Sequence, residues 1–317
     1  MAALAILLFA AKIFAWFITH SVAILTDALE SVANVVAGLI GVYSLYVAAK
    51  PRDHDHPYGH GKVEFISAAV EGAFIIVAGV MVMYKAVINI LNPQPIHRLD
   101  TGIILIAATA VLNFLVGTIC LRIGKKNNSL ALIASGRHLR SDMYTTGGII
   151  AGLVLLLISG ITWIDGVVAI VFAIIILFTG YGILRSSIAG IMDEADMGLL
   201  KDLIASLSEN RSTNWIDLHN LRIIKYGATL HLDCHLTVPW YFNVHEAHDE
   251  IDALSKLVKE KFGESMELFV HSDGCLDFSC AVCQKQDCKE RKQPFIRKIE
   301  WNMENVVGNK KHSVSTV

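Results

Sequence analysis

The stretch SVAILTDALESVANVVAG, residues 21–38, sets Asp27, Glu30 and Asn34 into an otherwise apolar run. Spacings of three and four place such residues on one helix face. A second apolar run carries His138 and Asp142, again four apart. An ionisable side chain at bilayer depth costs on the order of a few kcal/mol, so it faces a cavity or a partner and commonly serves a function. Carboxylate, amide oxygen and imidazole converging from two helices are what a divalent cation needs when it sheds its water.

The chain around these runs reads as membrane protein. Its 317 residues are 54% hydrophobic and 18% charged, and its mean hydropathy is positive, outside the usual soluble range. A net charge of -2 gives none of the basic surplus that a nucleic-acid partner demands. Six apolar stretches, at roughly 2–19, 22–49, 64–91, 100–121, 130–159 and 164–188, predict six spanning helices, since a crossing takes about 20 residues. The first is the shortest and carries Lys12. Gly148 and Gly152 in the fifth are small enough to let helices approach closely. The apolar start has no basic region and no cleavage site of a signal peptide, and its abruptness suggests a longer natural N-terminus.

Lys50, Arg52 and Lys62 share one loop and Arg122, Lys125 and Lys126 another, whereas the opposite loops hold Arg98 and little else. By the positive-inside rule both termini are expected in the cytoplasm, with a bacterial inner membrane as the expected location. From about residue 192 the pattern changes. An amphipathic helix over 192–210 precedes strands at 218–226 and 230–238, a helix over 245–262 and a strand at 266–271. That order predicts a small αββαβ, ferredoxin-like domain. The expected organisation is therefore a six-helix membrane domain at 1–191, the αββαβ domain at 192–274, and a largely flexible, charged tail at 275–317.

Glu30, Asn34, His138 and Asp142 make a four-ligand set of tetrahedral type, whose imidazole suits zinc or a neighbouring transition metal better than magnesium or calcium. The alternatives are helix-packing hydrogen bonds, or a second pair that lies at the membrane edge. Asp27 is a third ligand from its helix, a proton acceptor or an interfacial residue. The tail holds Cys275, Cys280, Cys283 and Cys288, including one C-x2-C spacing. Such a spacing points to metal before disulfides in a cytosolic region, with unused reduced thiols as the alternative. No HExxH or comparable catalytic constellation lies in the spans, so no enzymatic activity is expected.

With SVAILTDALESVANVVAG at 21–38, PRDHDHPYGHGKVE at 51–64 and SGRHLRSD at 135–142, the chain resembles the cation diffusion facilitator family of divalent-metal/proton antiporters. The resemblance runs from about Ser21 through Asp273. It implies a transport site at Glu30, Asn34, His138 and Asp142, exchange of zinc or a similar divalent cation for protons, and a homodimer. Family zinc carriers usually present Asp or His with a second Asp in the second span. The amide of Asn34 departs from that pattern and leaves iron, cobalt, manganese and cadmium open beside zinc. The resemblance also implies a loop metal site at Asp53, His56 and His60, against a solvated loop whose turn is set by Pro57 and Gly59. It places a further, regulatory site in the αββαβ domain at His219, His235, His248, His271 and Asp273. A membrane-anchored metal sensor or metallochaperone platform, binding cations without moving them, is the alternative to transport.

Overall fold

The computed structural model describes residues 2–92, 98–126, 130–227, 229–263 and 266–314; at 2–5, 34, 37, 124, 130–135, 137 and 138 it describes backbone alone. Six helices come first: α1 (Ala2–Thr19), α2 (Val22–Ala48), α3 (Val63–Leu91), α4 (Leu99–Lys126), α5 (Leu130–Ser159) and α6 (Trp163–Ile191). Among the described residues, five are long and apolar enough to cross a membrane, and the described apolar part of α1, Ile6–Thr19, is shorter. Large apolar side chains such as Tyr46, Ile158 and Phe178 stand exposed on these helices, which a bilayer accommodates and water would not. The helices interlock through small residues. A Cβ added at Gly148 or Gly152 of α5 would fall 2.7 Å from Phe172 and 2.4 Å from Val168 of α6, so both glycines do permit the close approach expected of them.

The first four N–H groups of a helix have no partner within it. At α2 another helix supplies one: Asp165, at the start of α6, accepts from Val22 N at 2.7 Å, from Ala23 N at 3.2 Å and from the Ser21 hydroxyl. Asn89 of α3 donates to the same carboxylate at 3.3 Å. Asp165 is fully buried. It thus knits three helices at one point.

The second unit is α/β. Helix α7 (Met197–Glu209) begins five residues later than the apolar pattern suggests, because Asp196 caps it by accepting from Leu199 N at 3.0 Å. Strands β1 (Asp217–Tyr226) and β2 (Thr229–Val238) pair antiparallel; after α8 (Val244–Phe262), β3 (Met266–Gly274) pairs parallel with β2. The sheet order β1-β2-β3 with two helices is the expected αββαβ arrangement. Leu232, Cys234 and Leu236 of β2 pack into the core with Leu203 and Leu207 of α7 and Leu254 and Val258 of α8. Alternation along the strand therefore turns His231 and His235 to the opposite face.

One organisational expectation is corrected. The tail beyond Cys275 is not a largely flexible appendage. A short 3-10 turn (Asp277–Ala281) follows β3, and α9 (Met303–Val306) returns to the sheet domain, where Trp301 and Val306 enter its core. Arg211 binds this return segment: its guanidinium lies 4.1 Å from the Trp301 ring and donates to Ile299 O at 2.7 Å. A few apolar anchors in a charged segment suffice, and average composition hides them. The loop Val47–Val63 also groups with Ala189–Val317 rather than with the helical unit. Tyr58 packs on Tyr226 and His231 with ring centroids 5.6 Å away, and Arg52 pairs with Glu267. Gly61 sits so close to the Tyr226 carbonyl that a Cβ would fall 2.3 Å from it.

Candidate metal centres

In the helical unit the polar stripe of α2 begins at Asp27. Its Oδ1 accepts from Lys12 Nζ at 2.9 Å and from Thr146 Oγ1 of α5 at 2.8 Å. Lys12 and Asp27 are both sealed from solvent, so the lysine that weakened the reading of the first span is the counter-ion of the aspartate in the second. A charge with this partner is neutralised where it stands, a packing role beside the ligand, proton-acceptor and interfacial roles that the sequence leaves open. Glu30 lies one turn further along α2 and is partly buried. The side chains of Asn34 and His138 lie outside the described residues.

The loop brings its three expected residues together. His56 Nδ1 is 2.9 Å from Asp53 Oδ1 and His60 Nε2 is 3.4 Å from Asp53 Oδ2. One ligand atom from each lies within 4.8 Å of the others. The hydrogen bond from His56 holds the Asp53 carboxyl below the usual carboxylate range.

On the sheet, strand register aligns the histidines. His219 pairs with His235 across β1 and β2, and His235 with His271 across β2 and β3. Asp273, two residues beyond His271, turns to the same face: its carboxylate lies 3.5 Å from His219 Nε2, 3.6 Å from His235 Nδ1 and 3.7 Å from His271 Nε2. His219, His235 and Asp273 offer ligand atoms within 4.8 Å of one another, and no further group of this kind besides the loop triad occurs among the described residues. His271 is mostly exposed beside them. His248 stands on α8 across a cavity also lined by Ser272 and Asp273, paired at 3.8 Å with Asp252.

Sequence reasoning missed the groups that support this cluster. Asp217 Oδ2 lies 3.1 Å from His219 Nδ1, leaving Nε2 directed at Asp273, as a carboxylate behind a metal-ligating imidazole would. Burial opposes charge on Asp217, but the His219 imidazole beside it and the hydrogen bonds from His312 outweigh burial and hold the carboxyl well below the usual range. Lys311 Nζ sits 3.3 Å from Asp273 Oδ1, supplying positive charge where a cation would. Asp217 and Lys311 are ordinary residues in sequence; only strand pairing and the returning tail bring them here. Lys12 did carry a signal, as the one cation in an apolar helix whose successor carries Asp27 and Glu30.

The four tail cysteines are all free and line one small pocket beside Trp240. Their sulfurs gather less tightly than the two clusters above. Burial pushes the Cys275 and Cys283 thiols up.

A multi-pass membrane protein with a small αββαβ domain carrying histidine–carboxylate clusters is the architecture of a cation transporter. The chain belongs to the cation efflux family: "Cation efflux transmembrane domain" matches residues 1–192 and "Cation efflux protein, cytoplasmic domain" matches 201–275. It is similar to an uncharacterised transporter of Synechocystis sp., 34% identical over 250 residues covering 79% of this chain and 81% of the relative. The cation-efflux pump FieF of Shewanella oneidensis is 28% identical over 272 residues, 86% of this chain and 90% of the pump. The manganese efflux system protein MneS of Bacillus subtilis is 27% identical over 257 residues, 81% and 87% of the two chains.

Proposed function

We propose that this cation efflux protein exports a divalent transition-metal cation, zinc first among the candidates, from the cytoplasm in exchange for protons. Glu30, Asn34, His138 and Asp142 form the transport site in this reading. The observation that carries it is the hydrogen bond from Thr146 of α5 to Asp27 of α2, at 2.8 Å. It sets the register of two helices that run in opposite directions as the second and fifth of six spans. One turn along α2 from Asp27 is Glu30, and one turn back along α5 from Thr146 is Asp142. A further turn on each helix brings positions 34 and 138 level.

Glu30 and Asp142 supply negative charge to the cation. His138 is the natural proton carrier, because an unperturbed imidazole titrates near neutral pH. Metal loads on the deprotonated site and protons return on the empty one, as the spans rock around a fixed position. The αββαβ domains of two chains pair, and cytosolic metal at His219, His235 and Asp273 favours one of their arrangements. The basic loops support cytoplasmic termini, and the bacterial relatives support an inner-membrane location.

Asn34 bears on which metal moves. A neutral amide weakens the field compared with a second carboxylate, and the similarity to a manganese efflux protein keeps manganese beside zinc. Reconstituted protein assayed for zinc, manganese, iron, cobalt and cadmium flux tests this. Asn34→Asp is expected to change the order of preference among these ions by tenfold or so, the effect of about 1.4 kcal/mol. An unchanged order would remove Asn34 from the site. The convergent loop and sheet clusters also fit a membrane-anchored sensor, which predicts metal binding by the αββαβ domain with no flux of any cation.

A further inference from the structure

We propose that Cys275, Cys280, Cys283 and Cys288 form a tetrathiolate zinc site that fastens the returning tail to the end of the sheet. Three of these four residues lie beyond the matched family domain, which ends at residue 275, and the site stands independently of the transport reading.

The geometry supplies a reason for each cysteine. Cys275 directly follows β3 and anchors to β2 by donating from its backbone N to Val238 O at 2.9 Å. The 3-10 turn at Asp277–Ala281 then folds the chain back, so that all four cysteines line a single pocket. Two of the four sulfurs meet a hydrogen-bond donor. Lys292 N donates to Cys280 Sγ at 3.4 Å and Tyr241 Oη to Cys288 Sγ at 3.7 Å. Donors aimed at sulfur stabilise thiolate and fix its direction, as supporting groups do around structural metal.

The loop is also braced from behind. Arg291 donates to Cys280 O at 2.8 Å, Cys283 O at 3.1 Å and Lys285 O at 2.7 Å, holding the C-x2-C turn in shape. Zinc bound by four thiols displaces four protons, and the resulting centre carries a formal charge of -2. Lys285, Arg291 and Lys292 line the pocket with Asp277 and Glu290, a balance that leaves one positive charge toward that centre. Four thiolates in a tetrahedral array select zinc over the harder cations. Beyond the pocket the chain returns to bury Trp301 in the domain core. The metal would draw the four sulfurs inward and close the loop between two fixed points, β3 and Trp301.

Cobalt(II) serves as the spectroscopic probe. The full-length protein, purified in detergent with thiols reduced and metal stripped, is titrated with it. The expected result is sulfur-to-cobalt charge transfer in the near ultraviolet with intense tetrahedral bands in the visible, saturating near one cobalt and bleached by zinc. Cys280→Ser/Cys283→Ser should abolish the charge transfer, Cys288→Ser should shift it to a three-sulfur spectrum, and Cys120→Ser, in a membrane helix, should leave it intact. His235→Ala should also retain it, because the histidine clusters carry no sulfur. Absence of charge transfer in wild-type protein with its thiols free would overturn the proposal. So would charge transfer that persists in the double variant.

Discussion

Lys12 and Asp27 form a 2.9 Å ion pair, sealed from solvent, that joins α1 to α2. Removing one member of a buried pair strands the other, at about 3–5 kcal/mol, whereas replacing both with apolar groups is often close to neutral. Lys12→Met alone is therefore expected to destabilise the detergent-solubilised protein strongly, and Lys12→Met/Asp27→Leu to recover much of the loss. Thermal unfolding of Lys12→Met, Asp27→Leu and the double variant beside wild type checks this. If the double variant is as unstable as the sum of the singles, the pair is not a coupled unit.

Asp165 provides the acceptors for the first turn of α2. Asp165→Ala would leave Val22 N, Ala23 N and the Ser21 hydroxyl without them, at about 1–3 kcal/mol for each buried group left unsatisfied. Asp165→Asn keeps one acceptor oxygen and should lose less. The measurement is the apparent melting temperature in detergent, with the order wild type, Asn, Ala.

The loop Val47–Val63 packs on the sheet domain with no space at Gly61. Gly61→Ala is expected to lift the loop from Tyr226, because a methyl group cannot share space with a backbone carbonyl. Hydrogen exchange across 51–62 should rise while exchange in α8 stays unchanged. Equal protection in both proteins would mean that the loop can move aside at no cost.

The end of the tail is held by His312, whose ring pairs with Asp217 and whose Nε2 lies 2.9 Å from Asn305 O. Burial disfavours the imidazolium, but the Asp217 partner outweighs burial and raises the His312 pKa above its ordinary value near 6.5. A pKa raised on folding gives stabilisation that is fully present below the unfolded value and lost as pH rises through the folded one. Protease sensitivity of the tail is therefore expected to increase from neutral toward alkaline pH. His312→Gln should remove that pH dependence. A flat profile in wild type would contradict the ion pair.

The legible parts of this chain were those governed by local pattern. Apolar run lengths gave the helical spans, and periodicity gave α7, β1, β2, α8 and β3 to within a few residues, because burial of one face is written along each element. The four-residue spacings single out Glu30, Asn34, His138 and Asp142 as candidates. What stayed hidden depends on tertiary register. Asp165 caps a helix 143 residues away in sequence, and Lys311 and His312 reach Asp273 and Asp217 only once the chain has come back from its far end. The tail was misjudged for the same reason: Trp301 and Val306 are two anchors in a charged segment, and composition averages them away.

The central claim is that the stripe shared by α2 and α5 moves the metal. Its most direct test is zinc uptake into inside-out membrane vesicles under an imposed proton gradient, for wild type, His138→Ala and Asp142→Ala at matched protein levels. Gradient-dependent uptake by wild type, reduced at least a hundredfold in both variants, about 2.7 kcal/mol or more, is the predicted result. Undiminished uptake in both variants would contradict the account.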